Sequence, residues 1–350
     1  TLQRATGPAV CDGWWLSSTY PWRNFLSTTS LSRSVALFRA VFLCGALSAC
    51  GGGDSDAPAP VDPPAPPIAA PLVPAPPAPL AYLAQHRKLE VCQIDAGDML
   101  ISCVEEGALS DHPNLRAMAI AGSHAYIASV VGSGFPAKII HCSIGITGTF
   151  SGCAETGPTD LQSAEELTVH GSALYITEYG SPRVYRCEIN PDGTLGPCAD
   201  ARSPGNLPNG AVDLQFLGEK AYALHFDEGA ISTCDVNADG SLSGCADASV
   251  DGLNNPYRLT ITANHMYIAN YGSNNVIRCI IEDGSLGNCE DAGATGLDQP
   301  TEVAIRGSSA YISNSDPTGL VRCTVASTGL LTDCAAVFSE PKDINDIVIR

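Results

Sequence analysis

Four carboxylates recur at one position of a repeated segment: Glu166, Asp213, Glu302 and Asp346. The first three stand nine residues ahead of a tyrosine, and Ala117 and Arg258 stand at the same place in two further copies. Asp346 joins the column because Asp346-Ile347-Val348-Ile349-Arg350 aligns with Glu302-Val303-Ala304-Ile305-Arg306. Oxygen ligands converging from separate segments are what a hard cation such as Ca²⁺ requires, so these four are the candidate calcium ligands. The plainer reading is structural: an acid at a strand entrance accepts hydrogen bonds from loop amides, and Arg258 balances a neighbour.

A second column follows the tyrosines. Three residues on come Glu178, His225, Asn270 and Asn314; four residues on come Tyr179, Phe226 and Tyr271. Aromatic faces next to acids can hold a cationic or sugar-like ligand, although such residues also serve to plug the rim between units. The segment from Val130 to Lys138 is four residues longer than its counterparts and is the candidate recognition loop.

Other motifs carry less. Asp235-Val236-Asn237-Ala238-Asp239-Gly240 opens like a calcium loop, but its twelfth position is Ala246 instead of Glu. There is no G-x-S-x-G elbow and no H-E-x-x-H. Most of the seven histidines fall in different repeat columns, so no triad shows itself; His170 and His225 are the two to mutate first. No catalytic residue is assigned.

The elements that must position these columns are counted by cysteine. Of 15 cysteines, twelve fall in pairs: Cys92/Cys103, Cys142/Cys153, Cys187/Cys198, Cys234/Cys245, Cys279/Cys289 and Cys323/Cys334. Gly, Asp or Thr residues midway between partners favour a tight turn, which places the two cysteines opposite each other on a hairpin and within disulfide reach. Cys279/Cys289 is one residue short and needs a different turn, and a bulged turn after Pro191 would make Cys187/Cys198 diagonal. Zinc sites use short C-x₂₋₄-C knuckles, and none occurs here, so six structural disulfides are expected.

Tyr82, Tyr126, Tyr175, Tyr222, Tyr267 and Tyr311 precede these pairs, and all but Tyr82 follow another alternating segment, such as AEELTVHG or PTEVAIRG. Each unit therefore reads as four short strands. Four-stranded antiparallel units repeating every 44 to 50 residues are the signature of a β-propeller. The C-terminal Asp346–Arg350 strand supplies the inner strand that the first unit lacks. The expected fold is an all-β, six-bladed propeller over residues 81–350, with one hairpin disulfide per blade and the last strand closing the first blade.

YIANYGSNNVIRCIIEDGSLG and LYITEYGSPRVYRCEINPDGTLG resemble lactonase-type and NHL-type blades. The regular hairpin cysteines depart from the lactonase pattern, and that family generally has seven blades. Six-bladed calcium-dependent lactonases of the gluconolactonase and paraoxonase type are similar in using an axial calcium, and the resemblance implies a calcium that polarises a carbonyl. No local motif carries that family's active-site residues onto positions here.

Ahead of the repeats, Arg33 and Arg39 precede an apolar run from Ala40 to Leu47, ending in Leu47-Ser48-Ala49-Cys50. This resembles the lipobox of bacterial lipoproteins, which implies a signal region over 1–49, with 1–31 a non-native or mis-assigned upstream extension, and a palmitate-bearing Cys50. Gly51 follows the cysteine where Asp would favour the inner membrane, so the outer membrane is expected, facing periplasm or cell surface. Residues 50–80 hold the lipidated cysteine and a Pro/Ala-rich tether with eleven of the 25 prolines, a composition that samples extended polyproline II.

Charge narrows the partners. The chain carries 18 Lys+Arg against 37 Asp+Glu, a net −19, which excludes nucleic acid, since binding there rests on neutralising phosphates. The expected function is a lipid-anchored, monomeric binding module acting through its loop rim, touching the bilayer through Cys50 and taking an envelope protein or small ligand. The alternatives are a calcium-dependent lactonase-like hydrolase and an envelope scaffold; enzymatic activity is left open, leaning against, with calcium the one cofactor considered.

Overall fold

The computed structural model describes residues 78–112, 114–130, 136–202, 210–315, 319–338, 342 and 344–350. Cys50, the signal region and nearly all of the tether lie outside them.

The described chain is a six-bladed β-propeller of four-stranded antiparallel blades. Blade 1 comprises β1 (Leu80–Gln85), β2 (Leu89–Ile94) and β3 (Leu100–Glu106), completed by the last strand of the chain. Blade 2 holds β4 (Leu115–Ala121), β5 (His124–Ser129), β6 (Lys138–Ile144) and β7 (Phe150–Thr156). Blade 3 holds β8 (Ala164–His170), β9 (Ala173–Glu178), β10 (Val184–Ile189) and β11 (Leu195–Asp200). Blade 4 holds β12 (Ala211–Leu217), β13 (Lys220–His225), β14 (Ala230–Val236) and β15 (Leu242–Asp247). Blade 5 holds β16 (Pro256–Ile261), β17 (His265–Asn270), β18 (Asn275–Glu282) and β19 (Ser285–Asp291). Blade 6 holds β20 (Pro300–Arg306), β21 (Ser309–Asn314), β22 (Leu320–Val325) and β23 (Leu331–Ala336), after which β24 (Ile344–Ile349) pairs with β1. The expected closure is therefore present: Tyr82 faces Val348 and Leu83 faces Ile347 across the seam.

Burial follows position in the blade. Inner and tyrosine strands are covered on both faces, as in Ala173–Glu178, where every residue is buried. Outermost strands such as Leu195–Asp200 are largely exposed, which is why they read as small and polar. Each inner strand contacts the next around the ring, from β24 through β4, β8, β12, β16 and β20 back to β24.

Five members of the tyrosine column each join one blade to the next. Tyr126 donates its hydroxyl to the Gly193 carbonyl of the next blade (2.7 Å), Tyr175 to Gly240 (2.7 Å), Tyr222 to Gly284 (3.0 Å) and Tyr267 to Gly329 (2.7 Å). Tyr311 closes the ring onto the Asp98 carbonyl of blade 1 (2.6 Å). The acceptors are the hairpin turns between paired cysteines, so two sequence columns form one interblade latch. Close approach also explains the glycine at Gly240: its φ is +78°, and a Cβ there would lie 2.7 Å from the Tyr175 hydroxyl. A side chain would be strained by its backbone and would push the latch open.

All six expected disulfides are formed: Cys92–Cys103, Cys142–Cys153, Cys187–Cys198, Cys234–Cys245, Cys279–Cys289 and Cys323–Cys334. The expectation that partners face each other in the ladder is corrected in five blades. Cys103, Cys153, Cys245, Cys289 and Cys334 have no ladder partner, because each is the second residue of a two-residue bulge. The first residue of each bulge has positive φ: Ser102, Gly152, Gly244, Asn288 and Asp333. Two residues of the outer strand therefore oppose one, and the opposed residue is the first cysteine of the pair. The extra residue is needed because turn length and cysteine spacing do not match. Only blade 5 turns in two residues, with Asp283 and Gly284 both at positive φ, which accommodates its shorter spacing. The others use three-residue loops, as at Pro191-Asp192-Gly193, where Asn190 and Thr194 close the turn.

Blade 3 departs from the other five. Pro197 stands at the place that takes positive φ elsewhere, and its ring fixes φ at about −65°. The bulge moves one position along, and Cys187 lies directly opposite Cys198. The pair expected to be diagonal is the one pair in direct register.

Candidate functional site

The channel residues are set by a feature repeated in every inner strand. The ladder between inner and tyrosine strands skips one residue near the start of the inner strand: Arg116, Glu165, Val212, Tyr257, Thr301 and Asn345 in blades 2 to 6 and 1. A bulge leaves the extra residue outside the ladder and re-aims its neighbour. The neighbours are Ala117, Glu166, Asp213, Arg258, Glu302 and Asp346, all buried. The structure thus brings the four expected carboxylates and Arg258 to one level of the inner-strand ring.

Arg258 organises this level. Its Nε lies 3.2 Å from Glu166 Oε2 in blade 3. Its other nitrogens donate to the carbonyls of Glu165 (2.5 Å), Val212 (2.7 Å) and Tyr257 (3.0 Å), the bulge residues of three successive blades. Its guanidinium also lies 4.9 Å from the centre of the Tyr257 ring. Asp213 accepts the Leu259 amide at 2.6 Å, an amide of the next blade's inner strand and not of a loop.

The electrostatics follow from burial. Desolvation pushes Asp213 up to about 6, while Arg258 and the Leu259 amide pull it down. Burial lifts Glu166 well above the usual carboxylate range, and the Asp213 charge adds to it. Glu302 is lifted in the same way, first by burial and then by Asp346. Arg258 opposes the rise at both Glu166 and Glu302.

These residues do not fit a calcium ion. No three His, Cys, Asp or Glu side chains among the described residues are grouped to hold a metal. Glu166 Oε2 and the carbonyls of Glu165, Val212 and Tyr257 face the Arg258 guanidinium instead.

The rim column is occupied mainly by internal duties. Glu178 accepts the Gln162 amide (2.7 Å), and Asn270 accepts the Asn254 amide (2.7 Å) while donating to the Gly252 carbonyl (3.0 Å). Asn314 donates to the Gly296 carbonyl at 3.1 Å. Each ties down the loop that leads into its own inner strand. His225 is fully buried against Ser232 Oγ at 3.0 Å, and burial pushes it down to about 4. The aromatic members behave differently. Phe226 packs edge-on against Tyr257 with centroids 5.6 Å apart, and Tyr271 lies 6.1 Å from Phe226 and 6.2 Å from Tyr257. Tyr179 and Tyr271 remain half-exposed, and the Tyr179 hydroxyl donates to Asp227 at 3.2 Å. Most of the expected recognition loop, residues 131–135, lies outside the described residues.

Three features escaped the sequence reading. Tyr257 belongs to the aromatic group but sits in an inner strand. Arg116 and Glu165, both bulge residues, form a buried pair at 3.5 Å; burial lowers Arg116 to about 10, with Glu165 opposing. His124 Nδ1 and His141 Nε2 lie 2.9 Å apart against the Gly193 turn. The residue before the first cysteine is Arg186, Arg278 and Arg322 in blades 3, 5 and 6. Arg278 and Arg322 donate to carbonyls in the next blade's turn, so His141 was legible as their substitute.

No protein-family model matches the sequence, and no curated protein matches it. Solved structures share the fold. A chain in the crystal structure of a nidogen/laminin complex aligns with a TM-score of 0.61 at 14% identity, over 77% of this chain and 98% of that one. A candidate 6-phosphogluconolactonase from Bacteroides uniformis aligns at 0.54 and 16% identity, over 77% and 84%. The periplasmic gluconolactonase of Pseudomonas aeruginosa aligns at 0.51 and 15%, over 75% and 79%. At these identities the likeness defines the class, a β-propeller with lactonase-like neighbours, and nothing narrower.

Proposed function

We propose that this chain is an exported, lipid-anchored binding module of a bacterial cell envelope whose rim takes a cationic ligand. The observation that carries this reading is the aromatic surface over blades 3 to 5. Half-buried Tyr179 and Tyr271 pack against a cluster that holds the buried Phe226 and Tyr257, and Asp227, Glu228, Asp251 and Asp298 are exposed in the rim loops of blades 4 to 6. A cation over an aromatic face gains about 0.5–1 kcal/mol when exposed and ~2 when desolvated. The net charge of −19 draws cations toward the molecule. The ligand chemistry is an alkylammonium group or the Lys and Arg side chains of an envelope partner. Attachment through acylated Cys50 and a Pro/Ala-rich tether rests on the lipobox-like sequence.

The second reading, a lactonase-like hydrolase, is favoured by the fold shared with gluconolactonase-type propellers. Its calcium-dependent form has the Arg258 contacts against it. The two readings separate in one pair of assays on the full chain: saturation-transfer NMR with choline, and the initial rate of glucono-δ-lactone hydrolysis. Choline contact without hydrolysis above the buffer rate supports the binding module. Hydrolysis that falls on Glu302→Gln substitution supports the enzyme. Neither response leaves the envelope scaffold as the remaining reading.

A further inference from the structure

We infer that the Arg258 guanidinium occupies the place in this channel that a divalent cation would take, so that the ring's oxygen donors are matched to an internal organic cation. Hard cations are held by carboxylates together with backbone carbonyls. Here that same mixture converges on one side chain: the Glu166 carboxylate and the carbonyls of Glu165, Val212 and Tyr257. The carbonyls come from the bulge residues of blades 3, 4 and 5, freed from the ladder by the skipped register. A guanidinium suits such a cage because it is planar, always charged and carries five donors in a fixed fork. Arg258 is 1% exposed, so no bulk water shares the duty.

The inference does not depend on the binding reading, because it concerns the channel and not the rim. It predicts that calcium is dispensable for this protein and that removing the arginine creates a need for a cation. The test is thermal melting of the full chain in chelator and in about 5 mM calcium, above the ~1 mM dissociation constants of weak extracellular sites. Wild type should melt within about 1 °C in both. Arg258→Ser should melt lower in chelator and recover by about 5 °C or more with calcium. Arg258→Lys, which keeps a charge, should show no calcium response. A wild-type melting temperature that drops by about 5 °C on chelation overturns the inference, as does a folded Arg258→Ser that ignores calcium. Should Arg258→Ser fail to fold in chelator, recovery of folded protein by refolding in calcium supports the inference and no recovery overturns it.

Discussion

Glu302 shows how a channel carboxylate acts when no guanidinium reaches it directly. Its protonated form is favoured by burial and by Asp346. A folded-state value above the unfolded one (~4.3) means that the native state binds the extra proton. That stabilisation is complete below the unfolded value and is lost as pH rises through the folded one. Glu302→Gln removes this dependence. The variant's melting temperature, relative to wild type, should climb as pH rises from about 5 to about 8; a difference that stays flat across that window would contradict the raised value. The column of acids was visible in the sequence because it repeats at a fixed distance from tyrosine. The reach of Arg258 was not, since its partners lie one and two blades away and no local spacing records them.

The strand and hairpin periodicities were legible because pleat, turn and cysteine spacing are local. Pairing of the twelve cysteines followed from spacing alone, whereas exact register did not. Register depends on which residue accepts a positive φ. Ser102, Gly152, Gly244, Asn288 and Asp333 do so just ahead of the second cysteine, and Pro197 in blade 3 is the residue that refuses. The tyrosines were readable as markers of a strand; their partners were not, because the hydroxyl acts across the blade boundary. Each latch satisfies a turn carbonyl that packing has taken from water, and such a bond is worth about 1 kcal/mol. Tyr267→Phe should therefore lower stability by about 1–2 kcal/mol, measured by denaturant unfolding with an unchanged slope. No loss would mean that the Tyr267–Gly329 bond contributes nothing between blades 5 and 6.

At the scale of the whole molecule, the ring is closed by β24 on β1 and each blade is stapled once between its two outer strands. Closure was legible because the chain ends in a strand that the first unit lacks. The proposed lipid anchor rests on residues outside the described structure: a basic, apolar and small-residue series ending at Cys50. Labelled palmitate should enter wild type and not Cys50→Ser, and equal labelling would remove the lipid anchor from this account. Of the rim aromatics, Tyr179, Phe226 and Tyr271 were legible as a column, whereas Tyr257 was not, because it joins them from β16 only in the folded rim. The most direct measurement is saturation-transfer NMR with choline on the full chain and on Tyr271→Ala, at about 0.15 M salt so that diffuse attraction is screened. The account predicts transfer to the trimethylammonium protons in wild type and its loss in Tyr271→Ala. Absence of transfer in wild type, or equal transfer in both proteins, would contradict a cation site on the rim.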